Sequence, residues 1–126
     1  MLLQSMTILV VDDNAPVCSF IARALREAGH EVVEAHDGLE ALRMVSMMPE
    51  VHLLVTDVVM PGLNGFELAS HIVAARNVPV LFVSAYPESG TDIPGPVLLK
   101  PFTAEVLRDL VAQLLALAHP SVKKTA

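Results

Sequence analysis

The feature that most constrains this chain is a regular alternation of short apolar runs, rich in β-branched residues, with stretches of helical spacing. The runs are Ile8-Leu9-Val10-Val11, Glu31-Val32-Val33-Glu34-Ala35, Val51 to Thr56, Val78 to Val83 and, shorter, Val97 to Leu99. Between them apolar residues recur at intervals of three and four. One set is Val17, Phe20, Ile21, Ala24, Leu25 and Ala28, the next Leu39, Leu42 and Val45, and a third Phe66, Leu68, Ala69, Ile72 and Val73. Strands that alternate with helices in this way imply an α/β domain, a parallel sheet covered on both faces and joined by right-handed crossovers. A strand buried on both faces has no polar side to display, so it reads as an unbroken apolar run. This explains a chain that is 53% hydrophobic and only 17% charged. The second run is the most polar and is expected nearer an edge.

Punctuation between the runs agrees. Asn14 can cap a helix that has Pro16 in its first turn, where a missing N–H costs nothing, and Gly29 is a natural stop. Asp37-Gly38 leads into the second helix, which Pro49 ends. Pro61, Gly62 and Gly65 mark a loop before the third. Thr103, after Pro101, can cap a last helix with an apolar face of Val106, Leu107, Leu110, Leu114 and Leu117. One interval breaks the rhythm: Pro87, Gly90, Pro94, Gly95 and Pro96 crowd the stretch between Ser84 and Val97, where a further helix is due. So many breakers predict a loop or at most one turn, a fourth helix shortened or absent. The reading is one domain over 1–126, with a core of about 7–118 and a flexible tail from His119 to Ala126.

Composition excludes several functions. The net charge is −6, from 8 basic and 14 acidic residues, and no basic patch stands out beyond the small Lys123-Lys124 pair, so direct nucleic-acid binding is not expected. Trp is absent and there is one Tyr, which removes an aromatic stacking platform. A single cysteine, Cys18, permits no internal disulfide and fits a reducing compartment. No apolar run approaches the roughly 20 residues that span a bilayer, and Met1 to Met6 lack the basic start of a secretory signal. Cytoplasmic residence without membrane insertion is the expectation.

The chemistry gathers at strand ends. Asp12 and Asp13 follow the first strand and Asp57 ends the third. If the sheet has the order 2-1-3-4-5, which spacing alone does not supply, those strands are neighbours at the point where the winding reverses, the usual place for a ligand. Three converging carboxylates repel one another and push at least one pKa up unless a cation offsets the charge. Mg²⁺, a hard ion that prefers oxygen, suits such a site. A carboxylate beside it can attack a phosphoryl group, provided that charge on the transferring oxygens is compensated. Lys100 after the fifth strand and Ser84 after the fourth stand at the same end of the sheet.

Taken together, several pieces resemble the receiver domains of response regulators. They are Asp12-Asp13 after an Ile-Leu-Val-Val strand, Thr56-Asp57-Val58-Val59-Met60-Pro61-Gly62 with Asn64-Gly65, Ser84-Ala85, and Lys100-Pro101-Phe102. The resemblance runs from about Thr7 to Ala118 and implies a flavodoxin-like, chemotaxis-regulator-like doubly wound fold. It further implies a phosphoacceptor at Asp57, with Mg²⁺ held by Asp13, Asp57 and the backbone carbonyl of Val59, and by Asp12 mostly through water. Lys100 would pair with the phosphoryl group, Ser84 would move to hydrogen-bond it, and the Lys100-Pro101 bond would be cis. The implied partners are a sensor histidine kinase or histidine phosphotransfer protein and a downstream protein. The domain would catalyse nothing beyond its own phosphorylation and dephosphorylation. It would serve as a phosphorylation-controlled interaction switch, either free-standing or as part of a hybrid kinase.

The chain departs from that pattern in two places. Many receivers carry an aromatic switch residue three positions before the lysine, and here that position is Val97. The breaker-rich stretch trims a helix through which many receivers engage partners. Tyr86, two residues after Ser84, is the expected substitute reporter, and Val59 offers no polar group to orient an attacking water. An aspartate-nucleophile phosphatase of the haloacid dehalogenase type fits poorly, because it places its nucleophile on the first strand and its acidic pair last. A phosphorylation-independent interaction module of the same fold is the alternative. Cys18 reads as a small core residue, and the five histidines lack ligand-like spacing.

Overall fold

The computed structural model of this chain describes residues 6–85 and 93–120. The elements follow the order β1 (Thr7–Val11), α1 (Ala15–Glu27), β2 (Glu31–Ala35), α2 (Gly38–Met47), β3 (Leu53–Asp57), α3 (Gly65–Ala75), β4 (Val80–Ser84), β5 (Val97–Leu99) and α4 (Ala104–Ala118). The five strands form one parallel sheet in the order β2-β1-β3-β4-β5, so β2 is an edge and β1 and β3 are neighbours. Among the described residues no helix lies between β4 and β5, which agrees with the shortened fourth helix. Residues 86–92 of that connection, and 121–126 of the expected tail, lie outside the described residues.

Alternate residues of each central strand feed two cores. Ile8, Val10, Leu53, Val55, Leu81 and Val83 pack under α1 and α4, while Leu9, Val11, Leu54 and Phe82 pack under α2 and α3. This two-sided burial is why the strands read as continuous apolar runs. The helices start where local chemistry satisfies their free N–H groups. Asn14 accepts from the Val17 amide at 3.1 Å, Asp37 from Glu40 at 2.7 Å and Thr103 from Val106 at 3.1 Å. Asn64 and Glu67 form a reciprocal capping box, with both bonds at 2.9 Å. Each such cap stabilises its helix by about 1 kcal/mol.

Three details differ from the sequence reading. β3 and β4 each begin two residues later than their apolar runs, at Leu53 and Val80, and end one residue later, at Asp57 and Ser84. Val51 and Val78 are buried without joining the ladder, and Pro79 has no N–H to give it. The last helix buries Leu107, Val111 and Leu115, while Val106 and Leu117 are exposed. Its deepest seam recurs every four residues: Leu107 belongs to the predicted stripe, the predicted Leu110 and Leu114 flank it half-buried against the same core, and Val111 and Leu115 are additions to it. His119, expected to fray, is tied down instead. Its amide donates to the Leu115 carbonyl at 2.9 Å, its Nε2 lies 2.8 Å from the His52 carbonyl oxygen, and its ring meets that of His52 edge-on at 5.1 Å. Among the described residues no helix is long and apolar enough to cross a membrane.

Candidate functional site

The strand order brings the acidic residues together. β1 pairs with β3 so that Val11 faces Thr56, which puts Asp12 and Asp57 side by side just beyond the last paired residues. Carboxylate oxygens of Asp12, Asp13 and Asp57 all lie within 4.8 Å of one another. Asp12 and Asp57 are buried, whereas Asp13 is exposed. The cluster is thus a half-closed cup, with two walls in the sheet and one lip in solvent.

Backbone geometry holds the two buried carboxylates. The Asn14 amide donates to Asp12 Oδ1 at 2.9 Å, and the Val58 amide donates to Asp57 Oδ1 at 2.9 Å. The Asp12 amide itself donates to the Ala35 carbonyl at 3.1 Å, which anchors the turn to β2. Lys100, just past β5, reaches back across the cup. Its Nζ stands 3.3 Å from Asp12 Oδ2 and 3.6 Å from Asp57 Oδ1. The Lys100 amide bonds the Ser84 carbonyl at 2.8 Å, so the lysine is tethered to the end of β4. The Lys100-Pro101 peptide bond is cis.

Burial pushes the Asp57 carboxyl above its ordinary value, and the Asp12 charge adds to the rise. Lys100 and the Val58 N–H oppose it, and Asp13 pushes upward again. One ammonium therefore does not balance three carboxylates. A donor set made only of oxygens, with one exposed member and an unmet excess of negative charge, fits a hard divalent cation.

Ser84 ends β4 one residue beyond Val83, the partner of Asp57, and is buried. Val59 lies two residues past Asp57 with its side chain 66% exposed at the rim. Val97 opens β5 opposite Phe82 and packs into the second core rather than toward the cup. Tyr86 lies outside the described residues. Cys18 is a core residue: burial, with Glu34 and Asp12 nearby, raises its thiol to about 12.

Two contributors escaped the sequence reading. The amides of Asn14 and Val58 carry no side-chain signal. Gly65 marks a loop and part of the motif in the sequence, yet its amide donates to the Val58 carbonyl at 2.8 Å, and a Cβ placed on it would sit 2.2 Å from the Asp57 carbonyl oxygen. The start of α3 is thereby pressed against the backbone of Asp57.

A doubly wound α/β sheet with an acidic cup, a lysine and a buried serine at its switch point is the arrangement that the resemblance to receiver domains implies. The family described as "Response regulator receiver domain" matches residues 8–112, and this chain belongs to it. It is 35% identical over 114 residues to the uncharacterized transcriptional regulatory protein YrkP of Bacillus subtilis, an alignment covering 85% of this chain and 48% of that protein. It is 33% identical to a chemotaxis protein CheY homolog of Campylobacter jejuni, covering 87% and 92% of the two chains. Among solved structures, the response regulator TrrA of Thermotoga maritima in complex with Mg²⁺-BeF superposes with a TM-score of 0.77 at 29% identity, covering 86% and 98%. The chain spans about half the length of the first of these relatives and nearly all of the second.

Proposed function

We propose that this domain is a phosphoacceptor, taking a phosphoryl group on Asp57 from a sensor histidine kinase or a histidine phosphotransfer protein in a Mg²⁺-dependent reaction. The observation that carries the proposal is the meeting of Asp12, Asp13 and Asp57 within 4.8 Å, beneath a lysine 3.6 Å from Asp57 Oδ1. An Asp57 oxygen forms the new O–P bond as the N–P bond to the donor histidine breaks, and the displaced imidazole nitrogen picks up a proton. Lys100 sits where it compensates charge on the transferring oxygens, and Ser84 supplies a hydroxyl from the end of β4. Asp13, Asp57 and the Val59 carbonyl would hold Mg²⁺, with Asp12 acting mostly through water. The ion, when bound, offsets the excess carboxylate charge and that of the incoming phosphoryl group. The Mg²⁺-BeF complex of the related TrrA supports that choice of metal.

On this reading the domain catalyses only its own phosphorylation and dephosphorylation, in the cytoplasm, and changes its surface for a downstream protein. The experiment is intact mass after incubation with acetyl phosphate, with and without Mg²⁺, for wild type and Asp57→Asn. A gain of one phosphoryl group that needs both Mg²⁺ and Asp57 supports the reading. No gain in folded wild-type protein favours a phosphorylation-independent interaction module.

A further inference from the structure

A second group of metal-ligating side chains lies outside the acidic cup, between α1 and the C-terminal end of β2. There the Cys18 Sγ, a Glu34 carboxylate oxygen and a His36 ring nitrogen all lie within 4.8 Å of one another. We propose that Cys18, Glu34 and His36 form a binding site for a borderline-soft divalent ion of the zinc class, separate from the Asp12-Asp13-Asp57 cup.

The topology makes the juxtaposition. Glu34 and His36 are two apart on β2 and its continuation, so both side chains leave the sheet on the α1 side. Cys18 lies on the buried stripe of α1, one turn after the Asn14 cap. The three sites are graded from core to solvent: Cys18 is buried, Glu34 half-buried and His36 exposed. An ion could therefore enter from the His36 side and keep a fourth position open to water.

The donor set decides the class. Sulfur, nitrogen and oxygen together suit zinc and its neighbours and do not suit Mg²⁺ or Ca²⁺, which the cup is built to attract. Thiolate plus carboxylate carry two negative charges, of which Arg26 offsets the one on Glu34, and a divalent ion compensates the rest in a half-buried place. Ligand atoms around one tetrahedral zinc stand roughly 3.3–3.8 Å apart, from bond lengths of about 2.0–2.3 Å. Separations of no more than 4.8 Å thus need to close by at most about 1.5 Å, within reach of rotations of Glu34 and His36.

Outer partners already orient two of the ligands. Arg26 holds Glu34 Oε2 at 3.0 Å and leaves the other carboxylate oxygen available. The Glu40 carboxylate stands 3.8 Å from His36 Nδ1, and the His36 amide donates to the same Glu40 oxygen at 2.7 Å. At 3.8 Å the ring and carboxylate are at ion-pair separation, and a closure of under about 1 Å would make Glu40 the carboxylate support usual behind a ligating imidazole. On binding, the Cys18 S–H bond breaks, a sulfur–metal bond forms and one proton passes to solvent, so affinity rises with pH.

The test is titration of the chelator-treated full chain with Cd²⁺, and then Zn²⁺, in excess Mg²⁺ so that the acidic cup is occupied. With no Trp and one Tyr, the ultraviolet background is low enough to read the cadmium–thiolate charge-transfer band. The expected result is one ion per chain with that band. It should be lost in Cys18→Ser and weakened at least about tenfold in His36→Gln, an exposed change that spares the fold, while Asp13→Asn leaves it unchanged. No thiolate band in wild type, or binding abolished by Asp13→Asn and indifferent to His36→Gln, overturns the proposal. Neither result bears on phosphorylation of Asp57.

Discussion

Gly65 is pressed against the backbone of Asp57: a Cβ at position 65 would stand 2.2 Å from the Asp57 carbonyl oxygen and 3.0 Å from the Val58 Cα. Nothing flexible is there to yield, so Gly65→Ala must move either the first turn of α3 or the phosphoacceptor loop. The expected cost is about 1–3 kcal/mol, the usual range for overpacking. A matching loss in the rate of phosphoryl uptake should accompany it. Gly62 is the control. It adopts φ +74 with open space around it, so Gly62→Ala should cost about 1–2 kcal/mol of backbone strain and leave uptake unchanged at temperatures where it is folded. Denaturation curves beside initial phosphorylation rates separate the two variants.

The Asp57 carboxyl is raised above its ordinary value by burial and by Asp12. A group so raised binds its proton more tightly in the folded state than in the unfolded one. Its contribution to stability is fully present below the unfolded value of 3.8 and is lost as pH rises through the folded value. At neutral pH without metal the wild type therefore carries a charge it would fold better without. Asp57→Asn should be the more stable protein there, with the higher Tm. The gap should shrink as pH falls toward 4. Thermal melts at pH 7 and pH 4.5 read this directly.

Adding Mg²⁺ should raise the Tm of wild type at pH 7 and do so much less for Asp57→Asn or Asp13→Asn, since an ion that binds only the folded state stabilises it by mass action. Equal stabilisation of all three proteins would place the ion elsewhere.

Lys100 contacts Asp12 Oδ2 and Asp57 Oδ1 with one ammonium. Lys100→Met keeps most of the aliphatic volume and removes the charge. Phosphoryl uptake from acetyl phosphate should slow on the order of a hundredfold, the scale on which loss of one charge-stabilising donor is felt. Single-turnover rates at saturating donor measure this.

Val59 stands exposed at the rim, two residues beyond Asp57, and its side chain has no polar atom to position water. Self-dephosphorylation should accordingly be slow, and Val59→Asn should shorten the phosphoryl lifetime several-fold, within the range of general base assistance. Decay of the phosphorylated mass after removal of donor gives the half-life.

Much of this was legible in the sequence because its signals are local. The apolar runs end at the residues that carry the chemistry, so Asp12, Asp57, Ser84 and Lys100 could be placed at one end of the sheet. The caps read at Asn14 and Thr103 act within three residues of themselves, as do those the structure adds at Asp37 and Asn64. What escaped depends on contacts between distant segments. Strand order had to be assumed, because hydrophobicity marks a strand without naming its neighbour. Val51 and Val78 are apolar through packing and not through pairing, so the apolar runs begin two residues ahead of β3 and β4. On α4 eleven of fifteen positions are apolar, so the pattern names Leu107, and only the sheet beneath decides that Val111 and Leu115 join it at the deepest positions. The His52–His119 contact joins residues 67 apart, and a closeness such as Gly65 to the Asp57 carbonyl leaves no trace in residue type.

The central claim is that Asp57 carries the phosphoryl group, and chemical trapping tests it most directly. The protein is incubated with acetyl phosphate and Mg²⁺, reduced with borohydride, which converts an acyl phosphate of aspartate to homoserine, and sequenced by peptide mass spectrometry. Conversion at position 57 alone, absent when Mg²⁺ is withheld, is the predicted result. Conversion at Asp12 or Asp13 instead, or none in protein shown to be folded, would contradict it.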